Sequence, residues 1–295
     1  MVYVPVVAGL SAALCWGTAD YLSRYQSAKV GYYRTVVYSH LTTLIFLMAL
    51  IPFVDPSVSF PLQPTLALVA AGALNFIAFI FLYRAFHTGV VSIVAPVAYT
   101  YPAVTTLLSI AFLGAVLTSV QTYAIAGIIA GVLLVSTRLT ELRRFVGGSG
   151  APNLAAGLGS AVGSSIFFGS VYLGVGYAAP LVVLVLPALV LRVVGVSLGL
   201  ALSPALKQDV RPSRLAFSRV VVAMGALEAA GFLSFTYGIS GGSSSLPIVA
   251  ALSGMGGAVA TTYAFTLLKE RLEWNQVLGV LLSLLGVFTL LYFGG

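Results

Sequence analysis

Uninterrupted apolar runs of about 20 residues recur along the whole chain, and each is long enough as a helix to cross a hydrocarbon core of about 30 Å. The stretch "LALVAAGALNFIAFIFLY" at 66–83 has no charged residue in it. One such helix can hide in a soluble core, but a whole series of them cannot. Only 7% of the 295 residues are charged and 60% are hydrophobic. A soluble domain carries about 25% charged residues to wet its surface. Disorder is excluded as well, because disordered chains are poor in apolar residues. The chain therefore reads as an all-α integral membrane protein.

Ten runs are expected to span, at about 3–23, 32–53, 62–86, 89–113, 117–137, 153–173, 178–203, 215–239, 243–267 and 273–293. The connectors are short and leave no room for a soluble domain. The first run is long enough to span and has no basic segment before it, so it is expected to stay as a helix rather than serve as a cleaved leader. The longest connector, "RLTELRRFVGGSGAP" at 138–152, has the charges, glycines and proline of a linker. It divides the chain into a first five-helix repeat at 1–137 and a second at 153–295.

The halves resemble each other. "GALN" at 72–75 matches "GALE" at 225–228, and Phe79 then matches Phe232. "LGAVL" at 113–117 matches "LKERL" at 268–272, and Gly131 matches Gly286. An odd number of spans per copy turns the second copy upside down, which is the inverted repeat of many secondary transporters. Gly127 with Gly131, and Gly279 with Gly286, offer small surfaces on which membrane helices pack closely. Cys15 is the single cysteine, so no internal disulfide forms, and a buried, inert thiol is expected.

Several segments carry a family resemblance. "AALCWGTADYLSRY" at 12–25 resembles the opening helix of the EamA-like branch of the drug/metabolite transporter superfamily. "LYRAF" at 82–86 and "SIVAPVAYTYPAVTTLLSIAFLGAVL" at 92–117 resemble the third and fourth helices of its repeat. "LLKERLEWNQVLGVLLSLLGV" at 267–287 resembles its closing signature, with Glu270, Gly279 and Gly286 in place. The resemblance implies ten helices, two inverted repeats, and a central cavity serving efflux of small metabolites. The first half departs from the pattern at Ala115 and Ala124, and the ninth span has no proline matching Pro102.

Ionisable residues inside spans are costly and face the bundle interior, which makes them functional candidates. Glu228 in "GALEAAGF" is a candidate proton carrier, or else the partner of a structural ion pair with Arg192. Arg192 in "PALVLRVVGV" stays charged. It pairs with Glu228 or binds a substrate carboxylate. Asp20 either lines the cavity mouth or caps toward Arg24. Asn75 occupies the position of Glu228 in the other half, and His40 stands about where Arg192 stands. Trp16, Tyr83, Tyr99, Tyr101, Phe168, Tyr172, Phe232 and Tyr237 fall on spans that the resemblance places around the cavity. Aromatic walls there suit amphipathic or aromatic solutes. Pro96 and Pro102 in the fourth span and Pro247 in the ninth are hinge candidates, because helix breaks free carbonyls near cavities. "GISGGSSSLP" at 238–247 reads as a turn with hydroxyls that could hold a polar head group.

Enzyme motifs and metal-ligand spacings are missing from the sequence, and with two histidines and seven acids there is little from which to build such a site. No catalytic residue, metal or cofactor is expected. The function expected is secondary active export of small organic metabolites, amino acids or similar amphipathic solutes, by alternating access, with proton coupling as one form. An uncoupled facilitator or multidrug-type exporter is the alternative. A lipid-handling protein or a membrane enzyme built on "KERLE" at 269–273 is remote. Expected partners are a small-molecule substrate, the bilayer and protons, with the chain acting as a monomer or homodimer.

The formal charge of +7 does not point to nucleic acid, since the basic residues are sparse. Thirteen of the 14 lie in or beside the connectors after odd-numbered spans: Arg24, Lys29, Arg34, Arg84, Arg138, Arg143, Arg144, Lys207, Arg211, Arg214, Arg219, Lys269 and Arg271. By the positive-inside rule, both termini then lie outside a cell inner (plasma) membrane. The family resemblance alone implies cytoplasmic termini.

Overall fold

The computed structural model describes residues 3–54, 59–88, 96–146, 154–268 and 273–294. Among the described residues there are helices and turns and no strand. The first half contains α1 (Tyr3–Val30), α2 (Tyr32–Val54), α3 (Leu62–Thr88), α4 (Tyr101–Leu113) and α5 (Ser119–Ser136). A short α6 (Leu139–Val146) follows. The second half contains α7 (Leu154–Ala178), α8 (Leu186–Leu202), α9 (Arg219–Ile239), α10 (Ser245–Ser253), α11 (Gly256–Leu268) and α12 (Trp274–Phe293). Seven described helical stretches are long and apolar enough to cross a membrane. α8 and the α10–α11 stretch are apolar but shorter. Exposed Leu107, Phe112, Leu281 and Phe288 coat the outside, as lipid-facing residues do.

Local sequence sets the helix ends. α5 opens with a capping box in which the Thr118 hydroxyl accepts from the Gln121 backbone N–H and the Gln121 side chain accepts from that of Thr118. α12 opens with the matching box, made by Glu273 and Gln276. Each box satisfies donors that a helix N-terminus leaves orphaned. The Ser218 hydroxyl accepts from the Val221 N–H and starts α9.

Four features differ from expectation. α7 runs on to Ala178, and a 3-10 turn over Ala179–Leu181 separates it from α8. Pro180 lies in that turn and Pro187 in the first turn of α8. Proline pre-sets the first turn but cannot continue a helix. The 138–152 connector is not all linker, because Leu139–Val146 is helical. The Glu273 carboxylate accepts from the Thr140 backbone N–H and hydroxyl, tying α6 to the start of α12. Partial burial pushes the Glu273 carboxyl up, but these bonds outweigh it and hold the group below its ordinary value. Pro247 sits in the first turn of α10, where it breaks nothing. Cys15 is half-buried and free rather than fully enclosed.

The fourth span is interrupted by a turn at Tyr99–Thr100, between Pro96 and Pro102. The ninth is interrupted at Gly254–Met255, where the Met255 N–H donates to the Leu252 carbonyl in a tightened turn. The alignment that pairs 113–117 with 268–272 also pairs these two breaks. Helix neighbours pair off in the same way. α1 packs on α9 as α3 packs on α7, α2 on α9 as α8 on α3, and α1 on α10 as α7 on α4. α5 packs on α12, and glycine sets that distance. A Cβ at Gly131 would lie 2.7 Å from the Gly279 carbonyl oxygen, and one at Gly286 would lie 2.8 Å from that of Ala124.

Candidate functional site

A cavity of about 60 Å³ lies among α1, α3, α7, α9 and the two interrupted spans. That is room for a few water molecules, so a larger solute needs the walls to part. The wall has three chemically distinct parts.

The first is a buried polar seam. Arg192 comes from α8 and is fully buried. Its Nη2 donates to Glu228 Oε2 at 2.7 Å, and its Nη1 donates to Asn75 Oδ1 at 3.4 Å. The guanidinium carbon sits 4.6 Å from the centroid of the Phe232 ring. Removing two charges from water costs several kcal/mol each, which close geometry and further hydrogen bonds must offset. The 2.7 Å contact, Asn75 and the Phe232 face supply that compensation. Asn75 and Glu228 reach the cavity surface, whereas Arg192 stands behind them and is not part of it.

The second part is aromatic. Trp16 meets Phe232 edge-on at 5.1 Å and tilts against Tyr172 at 5.8 Å. Tyr101 lies 5.3 Å from Tyr172 and 6.1 Å from Phe168. Tyr99 completes the wall at the fourth-span break. The third part is Asp20 on α1. It lines the cavity and accepts a hydrogen bond from the Tyr99 hydroxyl at 3.3 Å on Oδ2.

Trp16, Asp20, Asn75, Tyr99, Phe168, Glu228 and Phe232 thus come together, with Tyr101 and Tyr172. Other candidates lie elsewhere. His40 is 2% exposed, stacks edge-on with Phe79 at 5.2 Å and faces Gly195. Neither of its ring nitrogens has a hydrogen-bond partner among the described residues. Tyr237 is 55% exposed and lines an outer groove with Tyr3 and Val7. The helical period carries its side chain away from the face that holds Glu228 and Phe232. The side chains of Tyr83 and Arg24 lie outside the described residues, as do 147–153 and 269–272, which include Lys269, Glu270 and Arg271.

Phe79, Leu82, Ala98, Ser253 and Gly256 also line the cavity, and sequence reasoning missed them as site residues. Phe79 was recoverable, because it aligns with Phe232. Ser253 accepts from or donates to the Tyr101 hydroxyl at 3.4 Å, beside the Gly254–Met255 turn. That turn has no proline to mark it. Gly256 lets α11 cross α1 at Gly17, where a Cβ would meet Val259 at 2.7 Å.

Comparison with known proteins fits this architecture. An uncharacterized protein of Methanocaldococcus jannaschii is 29% identical over 131 residues, which make up 44% of this chain and 95% of that protein. A crystal structure of a protein 16% identical in sequence superposes with a TM-score of 0.78 over 98% of each chain. At that identity the likeness concerns the fold alone. The model of the EamA-like transporter family matches residues 4–137 and again 155–292. The chain is therefore a multi-pass membrane protein and belongs to the EamA-like transporter family of the drug/metabolite transporter superfamily.

Proposed function

We propose that this protein is a secondary active exporter of small amphipathic organic solutes such as amino acids. It has ten spans in two inverted five-helix repeats, over 1–137 and 153–295, and works by alternating access. The observation that carries the reading is the aromatic cavity between two spans interrupted at matching places. Discontinuous helices flanking a central site are the usual construction of transporters built from inverted repeats. The double family match and the reciprocal helix pairing support the duplication. So does the half-length relative, nearly all of which aligns within less than half of this chain. The positive-inside bias supports an orientation with both termini outside the plasma membrane.

Coupling runs through Glu228 in this reading. Proton binding neutralises the carboxylate and releases Arg192 from the 2.7 Å pair. The freed charge then favours the other arrangement of the two halves. Reconstituted vesicles test both parts. With an imposed pH gradient, the wild type is expected to concentrate a labelled amino acid or amine from a screened set. Glu228→Gln is expected to allow downhill exchange only. Uphill flux surviving in that variant would remove Glu228 as the coupling group, and absence of flux for every solute would remove the transporter reading.

A further inference from the structure

The cavity surface carries two carboxyl groups, Asp20 and Glu228. Among the described residues one cation stands near them, Arg192, and the structure commits it to Glu228 and Asn75. Among the described residues the Asp20 carboxylate has the Tyr99 hydroxyl as its hydrogen-bond partner, at 3.3 Å, and no ion pair holds it. A charged side chain at membrane depth is costly and is found where it meets a partner or a water-filled path. Here the space beside the carboxyl is walled by aromatic rings, among them Trp16, Tyr99 and Tyr101. Ring faces attract cations and bury apolar bodies. An anionic solute would meet two carboxylates and would have to displace Glu228 to reach Arg192.

We infer that the ligand of this cavity carries a protonated amine, with Asp20 as its counter-ion and the aromatic wall around its apolar body. The inference rests on the transporter reading and specifies the solute class that it leaves open. Asp20 is then the specificity residue, and Arg192, which stands behind Glu228 and is committed to it, does not grip substrate.

The protein has two tryptophans, so Trp274→Phe leaves Trp16 as the sole indole reporter in the cavity wall. Three probes share one aromatic body: phenethylamine, phenylalanine and 3-phenylpropionate. In the purified Trp274→Phe protein, phenethylamine is expected to change the Trp16 emission saturably, and 3-phenylpropionate to leave it unchanged. Asp20→Asn should weaken phenethylamine at least tenfold, and Asp20→Glu, a second variant that keeps the charge, should retain most of the affinity. A fall in phenylalanine affinity with Asp20→Asn extends the site to zwitterions. The inference is overturned if 3-phenylpropionate binds as tightly as the amine, if Asp20→Asn leaves amine or phenylalanine affinity unchanged, or if no probe binds. Vesicle flux separates it from the broader reading. Flux of 3-phenylpropionate without phenethylamine overturns the amine assignment and leaves an exporter. Amine binding with no flux of any probe does the reverse.

Discussion

Where the second half carries Glu228 the first carries Asn75, and about where the second carries Arg192 the first carries His40. The helices bearing them pair reciprocally, yet the chemistry is not reciprocal. Arg192 crosses between the halves and is held by both Glu228 and Asn75. His40 reaches neither and is packed against Phe79 and Gly195. A second carboxylate in place of Asn75 would set two like charges around one guanidinium. The neutral amide accepts a hydrogen bond there without that repulsion. Duplication thus supplies the scaffold, and divergence at two positions leaves one buried ion pair among the described residues.

The sharpest way to break this comparison is to remove the charge that both halves hold. Arg192→Leu leaves Glu228 buried without its partner and is expected to cost about 3–5 kcal/mol, read as thermal unfolding in detergent. Adding Glu228→Leu should restore most of that loss, because two apolar residues replace the pair. A double variant no more stable than the single one would show that the pair is not the cause.

The α5–α12 seam offers the next test, since there too the halves diverge at matched positions. Gly279→Ala drives a Cβ to 2.6 Å from the Gly131 carbonyl oxygen and is expected to cost about 1–3 kcal/mol. Ala124→Gly at the matched place should cost about 1 kcal/mol or less, as an ordinary glycine penalty. Equal costs would mean that the seam tolerates either spacing.

His40 should behave opposite to Arg192. Its two ring nitrogens, without a hydrogen-bond partner among the described residues, carry an unmet desolvation cost of about 1–3 kcal/mol. His40→Leu is therefore expected to leave stability unchanged or raise it slightly, and clear destabilisation would reveal a missing polar partner.

The smallest effect belongs to the exposed pair between the halves. Arg34 Nη2 meets Asp209 Oδ2 at 2.9 Å. The Arg211 backbone N–H, and then the nearby guanidinium groups, hold the Asp209 carboxyl below its ordinary value. A depressed carboxyl contributes stability above its unfolded-state value and loses it as pH falls through the folded-state one. Asp209→Asn should therefore change the unfolding midpoint little at pH 7 and flatten its slope only under acid conditions. A large change at pH 7 would make this contact more than a screened surface pair.

The class of fold was legible in the sequence because membrane insertion is decided run by run. Apolar stretches, spared charges and the two copies of "GAL" with their following phenylalanines can be seen without any contact. The cavity aromatics were partly legible, since Phe232 and Tyr99 sit on the spans that the resemblance singles out. Helix ends were less so. The 3-10 turn after Ala178 and the helix over Leu139–Val146 depend on neighbours, the latter on Glu273 from the far end of the chain.

By itself, then, the sequence determined that this chain lives in a bilayer, that its halves match, and that few polar groups enter the spans. Hydrophobicity and repetition are local properties, and they survive without tertiary contacts. Only the tertiary structure decided what those groups do. It paired Arg192 with Glu228 and Asn75, set His40 aside, and broke the ninth span at Gly254–Met255 with no proline to signal it. It also left Asp20 facing the cavity beside Tyr99. A charge in low dielectric takes its role from whichever group lies within a few ångströms, and that neighbour comes from a different helix.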